Sequence, residues 1–230
     1  MFTTFKLSKR ILLWSLSLVV FCGCTIGVLY SVQNASHAPY NGITIVLDAG
    51  HGGVDGGVVG GNGAKEADIN LSITKALKSI LESRGYRVVL TRKNANGLYG
   101  LAKKGKRKLK DMNARREIIE RTSPNLVVSI HQNSYPQKTQ TGPQVFYSIG
   151  GDNKIASVLQ GVLNTHLQNG NRVAKKGDYY ILNCTKYDSV LVECGFLTTP
   201  SEERLLVQSA YQEKVAYGIF SGINKVFFVS

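Results

Sequence analysis

Short apolar runs alternate with amphipathic stretches along most of this chain, and the alternation predicts an α/β fold. Ile43–Leu47 reads as a first strand, followed by a glycine-rich loop, Asp48–Lys65, that carries eight glycines. A helix is then expected from Glu66 or Asp68 to Arg84. Its apolar positions Ile69, Ile73, Ala76, Leu77, Ile80 and Leu81 recur at three and four, and Gly85 stands where a helix would stop. Tyr86–Thr91 predicts a second strand, which closes a strand–helix–strand unit. Residues 93–110 are polar and basic without periodicity, which predicts a solvated, irregular insertion. After it a helix is expected over Leu109–Arg121 and an uncharged, largely apolar, central strand over Leu126–Ile130. Gln144–Ile149 predicts a strand, Asp152–Gln168 a helix, and Tyr179–Leu182 and Val190–Cys194 two further strands. Helices over Ser201–Val207 and Ala210–Phe227 close the chain, with no internal repeat.

The N-terminal stretch breaks this pattern. Lys6, Lys9 and Arg10 precede an uncharged, mostly apolar run over residues 11–32. At ~1.5 Å per residue that run can cross a bilayer, with its basic flank on the cytoplasmic side. It is longer than the roughly 7–15-residue apolar core of a secretory signal, which favours an uncleaved anchor over a cleaved signal. The expected organisation is a basic flank (1–10), a membrane segment (11–32), a linker (33–41) and a folded domain (42–230) lying outside the cytoplasm.

Charge adds a candidate surface. The net charge is +13, and the N-terminal flank supplies three of it, leaving +10 on the exported part. Lys103, Lys104, Lys106, Arg107, Lys108 and Lys110 form one block, which would attract polyanions. No aromatic residues interleave with it, as a stacking platform for single strands would need, so nucleic acid is not an expected partner. Of the four cysteines, Cys22 and Cys24 fall in the apolar segment. Cys184 and Cys194 lie in or beside apolar runs and are read as buried thiols, with a bridge as the alternative.

The candidate chemistry begins with what the glycine-rich loop is not. After Gly50 and Gly52 the third position of G-x-G-x-x-G is Asp55, and no G-x4-G-K-[ST] occurs, so phosphate binding is a poor reading. The glycines instead surround His51, as where backbone curls tightly around a ligand residue. His51 and His131 each stand just past an apolar strand, at the sheet edge where open α/β folds bind ligands. Two imidazoles and one carboxylate form a usual catalytic zinc set, and Glu66 is the best third member. Its alternative reading is a carboxylate favoured at a helix start. Glu193 ends an apolar strand, where an ionisable group is costly unless paired or placed in a cleft. It is a candidate acid/base, the alternative being an ion pair with Arg92 or Arg116. His37 and His166 are left as structural.

Taken together, IVLDAGHGGVDGG, KEADINL, LTR, VVSIHQNS, Gly142 before VFYS, and VLVECGFLTTPSEERLL resemble the zinc-dependent N-acetylmuramoyl-L-alanine amidases that cut peptidoglycan. The resemblance spans about Ile43 to Phe227. It implies a single α/β domain with a mixed, mostly parallel sheet of about six strands and helices on both faces. It also implies one Zn2+ held by His51, Glu66 and His131, and Glu193 as the catalytic glutamate. Asp48 and Asn133, which flank the histidines, are expected to orient the ligands without touching the metal. Within the family the chain looks most like the membrane-anchored, germination-specific amidases of spore cortex maturation. It departs from the common pattern at Thr198-Thr199 and at Gln132, which bears only on substrate fit. The expected partners are peptidoglycan, the membrane through the N-terminal segment, and a protein partner. The basic block is the candidate docking surface. Alternatives are a vegetative wall amidase, another zinc peptidase of the stem peptide, and a non-catalytic wall-binding scaffold.

Overall fold

A computed structural model describes residues 38–228. The expected membrane segment and its flank lie outside these residues. Among the described residues no helix is long and apolar enough to cross a membrane.

The domain is built on one six-stranded mixed sheet. Its strands are β1 (Thr44–Ala49), β2 (Arg87–Leu90), β3 (Leu126–Asn133), β4 (Gln144–Tyr147), β5 (Lys175–Lys176) and β6 (Ser189–Phe196), in the order β2-β1-β3-β6-β4-β5. Neighbours run parallel except β4 against β6. The helices are α1 (Glu66–Ser83), α2 (Arg107–Thr122), α3 (Lys154–Leu167), α4 (Tyr180–Asn183), α5 (Pro200–Leu206) and α6 (Ser209–Phe228).

Alternation along the central strands divides the core in two. Ile45, Leu47, Leu126, Val128, Ile130, Val190 and Val192 face one side, where Ile73 and Leu77 of α1, Leu159 and Leu163 of α3, and Ile219 and Ile223 of α6 cover them. Val46, Val127 and Leu191 face the other side, under Ile119 of α2 and Ile181 and Leu182 of α4. Strands covered on both faces are apolar at most positions, which is why Leu126–Ile130 carries no charge and has Ser129 as its one polar residue. Beyond the apolar part, the thinner face continues along the same parity to Asp48, Ser129, His131 and Glu193. Asp48 is in register with Ser129, and His131 with Glu193.

Chain order locates the mouth of the fold. From β1 the chain crosses through α1 to β2 on one side, then returns to β3 on the other side of β1. The carboxyl ends of β1 and β3 thus flank a topological switch point, where such sheets leave a crevice.

Two expectations need correction. Tyr179–Leu182 is not a strand: Tyr180–Asn183 is a helical turn, and Ile181 and Leu182 are buried in the same core cluster. Adjacent residues on one side contradict strand alternation, and a four-residue apolar run carries no periodicity to separate the two forms. The basic insertion is also more ordered than its composition suggests. Lys104–Lys106 form a 3-10 turn, and α2 begins at Arg107, inside the block. Ahead of that turn, Tyr99 accepts a hydrogen bond from Val54 N at 2.9 Å, and Gly53 N donates to Ala95 O at 2.7 Å. The insertion therefore folds back on the glycine-rich loop. Cys194 and Cys184 are free thiols, the first buried and the second half-buried.

Helices α3 and α6 cross closely at a glycine. A Cβ on Gly222 would lie 3.0 Å from Leu159 Cγ and 3.2 Å from Leu159 Cα, whereas one on Gly161 meets nothing within 4 Å. The two positions should therefore respond with opposite signs. Gly161→Ala is expected to stabilise by about 0.5–1 kcal/mol through the unfolded chain's lost freedom. Gly222→Leu is expected to destabilise by about 1–3 kcal/mol through overpacking. Urea midpoints at unchanged slope would check both.

Candidate active site

The loop after β1 is shaped by positions that few residues tolerate. His51 has φ 61°, Gly52 134° and Gly53 65°, so the chain doubles back at once and aims the imidazole over the sheet edge. A non-glycine residue in this region is strained, and such strain persists where its surroundings hold it. A Cβ on Gly50 would fall 2.3 Å from the His131 ring. One on Gly57 would fall 2.5 Å from Glu66 Oε2 and 2.8 Å from His51 Cδ2. At both positions the backbone itself forms the wall of the site.

Glu66 stands at the first residue of α1, beneath this loop. Its Oε2 accepts from Val58 N at 2.9 Å, and its own N–H donates to Val58 O at 2.9 Å. Its Oε1 accepts from Gln132 N at 3.1 Å and from Asn70 Nδ2 at 3.3 Å. That same oxygen lies 3.2 Å from His51 Nε2 and 2.9 Å from His131 Nδ1. The two rings stand edge to face with centroids 5.0 Å apart. Asp55 Oδ1 approaches His51 Nδ1 to 3.0 Å, near enough for charge attraction though poorly aligned for a hydrogen bond.

Burial disfavours charge on His51, yet the close Glu66 carboxylate, then the negative charge of Asp55, outweigh it and raise the imidazole to about 9. Burial likewise opposes the Glu66 carboxylate, and the two histidines override it and hold Glu66 well below the usual range. A cluster that draws a proton so strongly between its members is one that a cation would satisfy. Three donor atoms of the right types, one per residue, lie within 4.8 Å of one another. The donor set thus fits a metal of the zinc class, two imidazoles and a carboxylate.

Glu193 sits beside this cluster on β6, in register with His131 and only 7% exposed. Burial pushes its carboxyl up to about 7, against the opposing pull of His131. Its Oε2 has no hydrogen-bond partner, and among the described residues it pairs with neither Arg92 nor Arg116. Just beyond it the register slips, with Asn133 opposite Phe196, a bulge of the kind that re-aims strand ends at sites.

The arginines have another task. The loop turns the carbonyls of Ala49, Gly50 and His51 inward. Buried Arg92 donates from Nε to Ala49 O at 2.9 Å, from one terminal nitrogen to Gly50 O at 3.0 Å and Ala67 O at 2.7 Å, and from the other to Asn94 O at 2.9 Å. Buried Arg115 donates to Ala49 O at 2.8 Å, His51 O at 2.6 Å, Asp48 Oδ1 at 2.5 Å and Asp111 Oδ2 at 2.6 Å. Asp48 therefore reaches His51 through Arg115, and it also accepts from Ser129 at 2.6 Å and Thr91 at 2.7 Å. Asn133 lies at the end of β3, where its side chain accepts from Ser134 N at 2.8 Å. Of the basic block, Lys104, Arg107 and Lys108 line a cleft of about 630 Å³ beside His51 and His131, while Lys103, Lys106 and Lys110 do not.

Several contributors were not singled out from the sequence. Asn70 is buried one turn after Glu66 and bonds to Glu66, Gly50 O and Gln132. A polar residue at i+4 on an otherwise apolar helix face was the available signal. Glu203 accepts from the backbone and side chain of Asn62, both at 2.9 Å, and tethers the glycine-rich loop. Glu202 accepts from Phe196 N at 2.7 Å and Gly142 N at 2.9 Å, which fixes the end of β6. At the start of α5 both read simply as dipole-favoured acids.

An α/β domain with a His–Glu–His cluster and a buried carboxyl at its switch point describes a hydrolase. The model of the N-acetylmuramoyl-L-alanine amidase family matches residues 45–225, and the chain belongs to that family. Zinc dependence is typical of its members. The germination-specific N-acetylmuramoyl-L-alanine amidase of Bacillus subtilis is 38% identical over 195 residues, covering 82% of this chain and 81% of that protein. The CwlD amidase of Clostridioides difficile, solved in complex with the GerS lipoprotein, superposes with TM-score 0.79 at 37% identity, over 82% of this chain and all (100%) of that one. The amidase AmiC2 of Nostoc punctiforme gives TM-score 0.70 at 32% identity, over 81% of this chain and 98% of that one.

The bonds of Arg115 to Asp48 and to the loop lead to two expectations. Arg115→Leu leaves Asp48 charged and buried and strands the His51 carbonyl, since Ala49 O keeps its bond from Arg92, so a loss of about 3–5 kcal/mol in denaturant unfolding is expected. Asp48 is held at about 2, below its ordinary 3.8, because Arg115 and then Ser129 and Thr91 outweigh the opposing effect of burial. A lowered folded-state pKa gives stability that is complete above 3.8 and fades as pH falls through about 2. The acid limb should be worth on the order of 2 kcal/mol at roughly 1.4 kcal/mol per pH unit. Its absence from Asp48→Asn, measured by unfolding between pH 5 and pH 2, would check the assignment.

Proposed function

We propose that this protein hydrolyses the amide between the lactyl group of N-acetylmuramic acid and L-alanine, outside the cytoplasm, in the maturation of spore cortex. The observation that carries this reading is the convergence of His51 Nε2 and His131 Nδ1 on Glu66 Oε1, beside an unpartnered, buried Glu193. His51, Glu66 and His131 would hold one zinc ion. Bound there, zinc supplies polarisation of the scissile carbonyl and a lowered pKa for the attacking water.

The remaining work falls to this chain's side chains. Glu193 takes the proton from the water as its oxygen adds to the carbonyl carbon. It then delivers that proton to the alanine nitrogen as the C–N bond breaks. The products are a muramyl lactyl carboxylate and a peptide with a free L-alanine amine. Asn70 and the backbone of Gln132 fix the Glu66 carboxylate, and Arg92 and Arg115 hold the loop that presents His51. Orientation by such fixed groups avoids reorganisation during the reaction.

The cortex role rests on the similarity to the germination-specific relative. The lipoprotein in the complex with CwlD supports a protein partner here as well. An apolar N-terminal segment would hold the enzyme at the outer face of the membrane, or between the spore membranes.

The test is a digest of purified peptidoglycan by the full chain with zinc, read by mass spectrometry, with bound metal measured on the same samples. Intact glycan and peptides that begin with L-alanine are expected. Glu193→Ala should lose about 10²–10⁴-fold in rate while keeping its metal, and His131→Ala should lose the metal as well. Fragments cut within the peptide would instead make the enzyme a stem peptidase.

A further inference from the structure

The cleft beside the histidines has two unlike walls. One is the start of α2 and the turn before it, which bring Lys104, Arg107 and Lys108 to the cleft. The other carries Asp178, Tyr179 and Tyr180. Of the carboxylates near the basic wall, Asp55 is drawn to His51, and Asp111 bonds Arg115 and Leu98 N. Among the described residues the lysine ion pairs are Lys78 with Glu82 and Lys154 with Asp152, so Lys104 and Lys108 have none. Arg107 is oriented by Tyr99, whose ring lies 5.5 Å from its guanidinium carbon, and by a bond from Nε to Ala102 O at 3.2 Å.

Helix electrostatics do not favour this placement. The first turn of α2 holds no acid and its N-cap makes no side-chain bond, so Arg107 and Lys108 stand at the positive end of the helix dipole. Cations are disfavoured there, and the same field adds to their attraction for an anion.

The substrate of the proposed reaction says where such an anion would be. The lactyl carboxyl of muramic acid is consumed in the scissile amide, and N-acetylated sugars are neutral. Negative charge near the bond is therefore on the peptide, whose second residue, a glutamate joined through its side chain, keeps a free carboxylate. We propose that Lys104, Arg107 and Lys108 form a wall that reads this carboxylate, orients the peptide along α2 and makes the enzyme prefer peptides in which it is not amidated. The inference rests on the amidase reading above, and it divides the basic block: Lys103, Lys106 and Lys110 take no part.

The experiment compares two synthetic muramyl peptides that differ only in whether that group is a carboxylate or a carboxamide. Each is offered to the full chain with zinc. The wild type is expected to favour the acid by about tenfold or more in kcat/KM, the size of one charge-assisted contact. The double variant Lys104→Gln/Lys108→Gln should bring the two substrates close to parity by raising KM for the acid, with kcat kept. Lys103→Gln/Lys110→Gln, which removes equal charge outside the cleft, should keep the wild-type ratio. Equal cleavage of acid and amide by the wild type overturns the proposal. So do equal losses in the two double variants, which would mean diffuse attraction to wall polymers. If neither peptide is cut, the amidase reading is what has failed. Calorimetric binding of the same two peptides to Glu193→Gln then decides: tighter binding of the acid supports the wall, and equal binding overturns it.

Discussion

The site depends on keeping three inward-facing carbonyls satisfied. The loop turns back through His51 at positive φ and closes on itself only from Gly52 onward, while Ala49, Gly50 and His51 point their oxygens into the protein. Buried carbonyls without donors are costly. Arg92 and Arg115 supply those donors from the end of β2 and from α2, in a fork that a lysine could not reproduce. Asp48 balances one of the two charges, and Arg92 rests on carbonyls alone. Two side chains distant in sequence thus set where His51 can stand.

The sheet supplies the second constraint. Parity along β1, β3 and β6 places Asp48, Ser129, His131 and Glu193 on the thinner face, and pairing aligns Asp48 with Ser129 and His131 with Glu193. A slip of one residue in β6 would turn Glu193 into the opposite core and Val192 toward the cluster. The fully apolar cores on both sides forbid that slip. The same burial keeps the Glu193 carboxyl poorly solvated and close to a neutral-pH titration. Packing and acid–base character therefore share one cause.

The three groups of the cluster come from separate places: a loop after β1, the first residue of α1, and the end of β3. Glu66 is anchored by Val58, Asn70 and Gln132 and the loop by Glu203, so the contacts among the donor atoms are supported from outside the cluster. Such preorganisation is what a metal site needs from its second layer of residues. The basic wall and the tyrosines then give the cleft beside it a direction.

Much of this was legible in the residue order. Apolar alternation marked five of the six strands and the long helices, because burial on one or both faces imposes a period that local sequence must carry. His51, Glu66, His131 and Glu193 stood out because polar, ligand-type residues at the ends of apolar runs are costly without a task. Four residues at Tyr179–Leu182 were too few to separate a strand from a helical turn, and the two-residue β5 left no pattern at all. The roles of Arg92, Arg115, Asn70, Glu202 and Glu203 were decided only by tertiary structure. Their bonds go to backbone atoms, and backbone carbonyls and amides are the same in every residue. The sequence by itself determined which side chains could do chemistry, since that is a property of residue type and local burial period. The fold alone decided what holds them in place, since those partners lie far along the chain and are recognised by position rather than by kind.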